Sequence, residues 1–117
     1  MPSLDMFGPY NLNATTIKNK VAPRKIGNYA LGYMKGNTFI VKYVGRSDND
    51  VAWRLTCHIH EGYQCFKFSY ACSIKAVFDK ECRNYHDFGD KNNLDNINHP
   101  DRPQGQNYKC PCCGHFD

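Results

Sequence analysis

Between Met6 and Ser47 the sequence contains no aspartate and no glutamate. The same span carries Lys18, Lys20, Arg24, Lys25, Lys35, Lys42 and Arg46, and acids return only from Asp48 onward. Net charge is +4, so the asymmetry lies in distribution rather than total. A one-sign block suits a polyanionic partner; a solvated basic face is the other reading. Long apolar runs are also missing, which excludes a membrane-spanning helix. Met1-Pro2-Ser3-Leu4-Asp5 has no charged segment followed by an apolar one, so no secretory signal is expected and the expected compartment is cytoplasmic. There is no internal repeat and no low-complexity tract.

What is present fits one globular domain of 117 residues, 41% hydrophobic and 14% aromatic. Seven cysteines in a cytosolic chain are expected to be thiols, and the odd number leaves at least one unpaired. Cys57, Cys65 and Cys72 read as small buried apolar residues. Cys82, Cys110, Cys112 and Cys113 gather in the C-terminal third.

Asn13 to Val21 reads as a short helix capped by Asn13 or Thr15 and ended by Pro23. It belongs to a basic N-terminal segment, residues 1–25, whose first dozen residues read as irregular. Two β-branched and aromatic runs follow, about Tyr29–Met34 and Thr38–Gly45, with Gly36-Asn37 as a turn between them. Asp48 or Asp50 then caps a helix from Val51 to about Glu61. Arg54 and His58, four apart, share a face of it. Phe66, Phe68 and Tyr70 alternate with polar residues as a third strand. Ser73 caps a second long helix over Ile74–Asp87. Its stripe of Ile74, Val77, Phe78, Glu81 and Tyr85 turns a carboxylate inward, where it requires a cation, a metal or a cleft. From Phe88 onward the composition is that of loop.

The segment Gly27-Asn28-Tyr29, Tyr43-Val44-Gly45, Arg54, His58 and Glu81, in that order and spacing, resembles the signature of the GIY-YIG nuclease superfamily. The likeness spans roughly Gly27 to Pro100. Asn28 departs from the pattern, which usually has an apolar residue there, and Val44 is a mild variant. The resemblance implies an α+β domain over residues 26–100, with a three-stranded, mainly antiparallel sheet flanked by helices. It also implies a DNA endonuclease dependent on Mg2+ or Mn2+. On that reading Glu81 holds the ion and Arg54 clamps the phosphate through its planar donor fork. The proton acceptor is Tyr29 or Tyr43, its pKa lowered by Arg54, the basic residues and the metal, with Tyr43 preferred and His58 tuning it; His58 acting directly is the alternative. Asn96 or Asn98 supplies a late structural asparagine, and Asn96 is preferred. Gly45 would let the backbone approach a phosphate. Lys18, Lys20, Arg24, Lys25, Lys42 and Arg46 are expected nucleic-acid contacts. Nicking alone, acting with an accessory protein and cutting as a homodimer all remain open. The rival readings are a non-catalytic nucleic-acid-binding module and an HNH-type nuclease built on His99.

Independently of the resemblance, Cys110-Pro111-Cys112-Cys113 holds a C-x-x-C pair suited to zinc. Cys82 and His86, four apart on a helix, would complete a structural site that staples the tail, residues 101–117, onto the domain. His99 is the main substitute for His86, and Cys112 and His115 are weaker ones.

Overall fold

A computed structural model describes residues 4–116. It is an α+β domain built on one four-stranded antiparallel sheet. In chain order the strands are β1 (Phe7–Asn11), β2 (Gly27–Lys35), β3 (Thr38–Ser47) and β4 (Cys65–Tyr70). The helices are α1 (Ala14–Lys20), α2 (Val51–Cys57), α3 (Ile74–Asp87) and the single turn α4 (Asp90–Asn93). Spatial order is β1-β4-β2-β3, so β3 lies at one edge.

The expected three-stranded sheet gains β1, in a segment expected to be irregular. Phe7 pairs with Phe68 and Tyr10 with Phe66 across a break in register, and Phe7 and Tyr10 stack against β4 rings. Gly8-Pro9 and the strand's exposed face hide it from a pattern search. The other elements follow local chemistry. Asn13 accepts from the Thr16 amide, Asp50 from Trp53 and Ser73 from Ala76, which caps α1, α2 and α3 in turn. Gly36-Asn37 makes the expected two-residue hairpin turn, with Gly36 at φ +62°. The helix expected to run to Glu61 ends at Cys57 and continues as one 3-10 turn, Ile59–Glu61, closed by Gly62 at φ +94°.

Strand alternation divides the core in two. Tyr29, Leu31, Phe66 and Phe68 face Ile17 of α1 and Val51 and Leu55 of α2. Ala30, Val41 and Val44 face Tyr85 of α3 and Leu94. Each large aliphatic side chain so buried contributes about 1.5–3 kcal/mol. Helices α2 and α3 therefore cover opposite faces, each packed on β2 and β3. Phe78 and Cys82, also on α3, lie under a third cluster made with Cys110, Tyr108 and Phe116 of the tail. Of the three cysteines expected in the core only Cys65 is there; Cys57 and Cys72 are exposed. No helix among the described residues is long and apolar enough to cross a membrane.

Candidate active site and metal cluster

The middle of β2 sets the site. Tyr29 points toward α2 and is fully buried. It pairs across the ladder with Gly45, and a Cβ at Gly45 would fall 2.4 Å from the Tyr29 hydroxyl. The glycine thus makes room for the tyrosine ring. The expected close approach of its backbone to a phosphate is not what this geometry uses, because Tyr29 fills that space.

The Tyr29 hydroxyl lies 2.8 Å from His58 Nε2. His58 Nδ1 lies 2.7 Å from Glu61 Oε1, so the carboxylate holds Nδ1–H and leaves Nε2 to accept from Tyr29. Tyr29 of β2 and Glu61 of the 3-10 turn thereby position the imidazole of His58, the residue that caps α2. The sequence does not single out Glu61, because a continuous helix would end there; its three-residue spacing from His58 is the available signal. Tyr43 stacks at 6.3 Å on Tyr29 and packs at 5.2 Å against His58. The exposed Arg54 guanidinium lies beside the Tyr29 hydroxyl.

Glu81 reaches the same place from the opposite face. Its carboxylate is buried and accepts from Arg46 Nη1, while Arg46 Nε donates to Asp48 at 2.9 Å. Glu81 and Tyr43 line one cleft of about 350 Å³ with Asn96, His99 and Asp101. Tyr29 and Tyr43 each feel the charges of both Arg54 and Glu81. Tyr29, Tyr43, Arg54 and His58 gather on the α2 side of the sheet, and Glu81 approaches Tyr43 at the β3 edge from the α3 side.

That edge is covered. Asn96 Oδ1 accepts from Val44 N at 3.0 Å and its Nδ2 donates to Val44 O at 2.8 Å, so a side chain replaces a neighbouring strand. Asn96 is buried and Asn98 is exposed. Asn28, the departure from the family pattern, is buried too. Its Nδ2 donates to Val77 O at 3.0 Å, tying β2 to α3, and its Oδ1 has no partner.

Burial decides the electrostatics. Desolvation pushes Glu81 up to about 7 against the pull of Arg46, with Asp48 and Asp101 adding to the rise. It also pushes both tyrosine hydroxyls above their ordinary range, more strongly for Tyr29. Arg54 works the other way and loses, so the arginine does not by itself give the expected lowering of the tyrosines. Glu81 remains short of positive charge even with Arg46 in contact. A carboxylate in that state, opening on a polar cleft, fits a hard divalent cation.

Of the expected basic contacts, Lys18, Lys20, Arg24 and Lys25 are exposed, and Lys18 shares a shallow groove with the exposed Trp53. Lys42 is half-buried and donates to Asn93 O at 3.3 Å. Arg46 turns inward to Glu81 and Asp48, over the Phe78 ring.

The sulfur and imidazole ligands form a separate cluster. His86, His99, Cys110 and Cys113 bring four ligand atoms within 4.8 Å of one another, an arrangement able to bind a metal such as zinc. This corrects the expected quartet: His99 enters beside His86, and Cys82 leaves. Cys82 is fully buried among Phe78 and Cys110, behind the cluster. Sequence spacing puts Cys82 and His86 on one side of α3, and Cys110 of the tail meets both, thiol to thiol at Cys82 and sulfur to imidazole at His86.

Comparison of the chain with protein-family models, curated proteins and solved structures finds no match in any of the three.

Proposed function

We propose that the chain is a divalent-metal-dependent DNA endonuclease with a GIY-YIG-type fold and site. One observation carries the reading: Tyr29, Tyr43, Arg54, His58 and Glu81, spread over two strands and two helices, come together at the β3 edge. Glu81 is already paired with Arg46; what a structural role leaves unexplained is the exposed Arg54 beside two tyrosine hydroxyls and a His58–Glu61 pair.

Arg54 binds the scissile phosphate, being the exposed member with a planar donor fork. Glu81 holds Mg2+ or Mn2+, which when bound would neutralise phosphate charge and assist the leaving oxygen. Tyr43, half-buried at the cleft, faces the attacking water. Neither tyrosine is ionised at neutral pH, so each acts as a relay: Tyr43 takes the proton from water and passes its own to Tyr29, which passes one to His58 Nε2. Glu61 stabilises the imidazolium that results. His58 is therefore the final acceptor, and the high tyrosine pKa values stop being an obstacle. Lys18, Lys20, Arg24 and Lys25 supply sequence-independent contacts to the DNA backbone. A structural zinc ion in the tail completes the metal complement.

The test is plasmid nicking in Mg2+ or Mn2+. Wild type nicks, and Glu81→Ala and Arg54→Ala each lose about 10²–10³-fold. Salt-sensitive binding without nicking would instead support the non-catalytic binding module.

A further inference from the structure

We propose that His86, His99, Cys110 and Cys113 bind one Zn2+ whose role is to fix the wall of the Glu81 cleft, with His99 as the positioning residue. The functional consequence rests on the endonuclease reading; the site and its effect on the wall do not.

The distances carry the metal. His86 Nε2 and His99 Nε2 are 3.2 Å apart, Cys110 Sγ is 3.5 Å from His86 Nε2, and Cys113 Sγ is 3.4 Å from His99 Nε2. A tetrahedral zinc with bonds of about 2.0–2.1 Å to nitrogen and about 2.3 Å to sulfur has N···N edges of about 3.3 Å and N···S edges of about 3.6 Å. The observed contacts are edges of such a tetrahedron. Two imidazole nitrogens facing each other need a shared cation or a proton between them.

The groups around the cluster favour the ion. His99 Nδ1 donates to Pro100 O at 2.9 Å, which leaves the Nε2 lone pair for the metal. The Cys112 amide donates to Cys110 Sγ at 3.4 Å, an interaction that favours thiolate. His115 stacks on His99 at 4.2 Å, and Tyr85 and Phe116 meet the same ring edge-on. His99 is thus held in one orientation and one tautomer. Two thiolates balance the charge of the ion, so the centre is neutral and does not compete with Glu81 for cations.

The link to the cleft is the chain itself. His86 lies five residues beyond Glu81 on α3, and His99 is both a ligand and a lining residue of the Glu81 cleft. Three residues before His99, Asn96 pairs with Val44 of β3. The segment from Asn96 to His99 is therefore pinned at one end to the sheet edge and at the other, through zinc, to α3. Without the ion its far end meets α3 through ring contacts of His99 with His86 and Tyr85.

Three measurements on the full chain test this. Elemental analysis should find one zinc per chain. The cobalt-substituted protein should give the visible spectrum of a tetrahedral ion with two thiolate ligands. Cys113→Ser and His99→Ala should each weaken zinc by more than the about 100-fold that loss of an outer partner costs, while Cys82→Ala keeps stoichiometry and spectrum. Cys113 is exposed, so its variant bears on the site even if His99→Ala does not fold. Hydrogen exchange then reads the wall: zinc removal should raise exchange at the Asp95 and Val44 amides and leave the central β2–β4 amides protected, and His99→Cys, still a ligand, should restore it. None of these uses DNA cleavage, so failure here and failure of the nuclease reading are separable. Absence of zinc, retention of zinc in both ligand variants, or exchange over residues 94–101 indifferent to zinc would each overturn the proposal.

Discussion

The Tyr29 hydroxyl sits 2.8 Å from His58 Nε2, on an imidazole whose other nitrogen is 2.7 Å from Glu61. If the three act as one proton path, their losses do not add. Tyr29→Phe and His58→Ala should each slow single-turnover nicking by about 10²–10³-fold, and the double variant should be no slower than the worse single. Glu61→Gln should lie between them and wild type and should shift the pH dependence of the rate. Additive losses would mean that the three residues act separately.

Glu81 should oppose stability in the metal-free protein. Its folded pKa, about 7, is above the ordinary carboxylate value of 4.5, so the folded state binds the proton more tightly than the unfolded chain does. The contribution from this group therefore grows as pH falls from about 7 toward 4.5 and is lost as pH rises through 7. Glu81→Gln should stabilise the protein at pH 8 by about 1–3 kcal/mol while removing Mn2+ binding. Urea unfolding at pH 8 and pH 5, without added Mg2+ or Mn2+, checks it: the gain should shrink at the lower pH.

Gly45→Ala should be far from conservative. The added methyl meets the Tyr29 ring at 2.4 Å, and that ring is enclosed on all sides. Overpacking of this kind costs about 1–3 kcal/mol, and moving the ring also breaks the contact with His58. Thermal melting should fall, and nicking should fall more than instability explains.

The two late asparagines should separate cleanly. Asn96→Ala strands an amide and a carbonyl of Val44 inside the protein, at a cost of about 2–4 kcal/mol. Asn98→Ala should stay within about 0.5 kcal/mol of wild type, as exposed substitutions do. Chemical denaturation of the two variants decides it.

Local signals explain what could be read from the chain. Helix α3 was legible to the residue, because Ser73 caps it and its apolar period runs unbroken to Tyr85. The Gly36-Asn37 hairpin was legible for the same reason. Strand β1 was not, since its pairing to β4 is a long-range contact and its own pattern is exposed and interrupted by Gly8-Pro9. The shared end of α2 for Arg54 and His58 and the inward turn of Glu81 on α3 were legible from spacing. The Arg46–Glu81 pair, the Glu61 contact and the exchange of Cys82 for His99 depend on where α2, α3 and the tail meet the sheet, which no single element encodes. The direction of the tyrosine pKa shifts was missed because burial, not neighbouring charge, decides it.

The central claim is that Arg54 and Glu81, brought from opposite faces, serve one phosphate at the β3 edge. A crystal soaked with Mn2+ and a short nicked oligonucleotide, read by anomalous scattering, tests it most directly. The account predicts a manganese peak on the Glu81 carboxylate and a phosphate that touches both that ion and the Arg54 guanidinium. Manganese elsewhere, or a phosphate bound out of reach of Arg54, would contradict it.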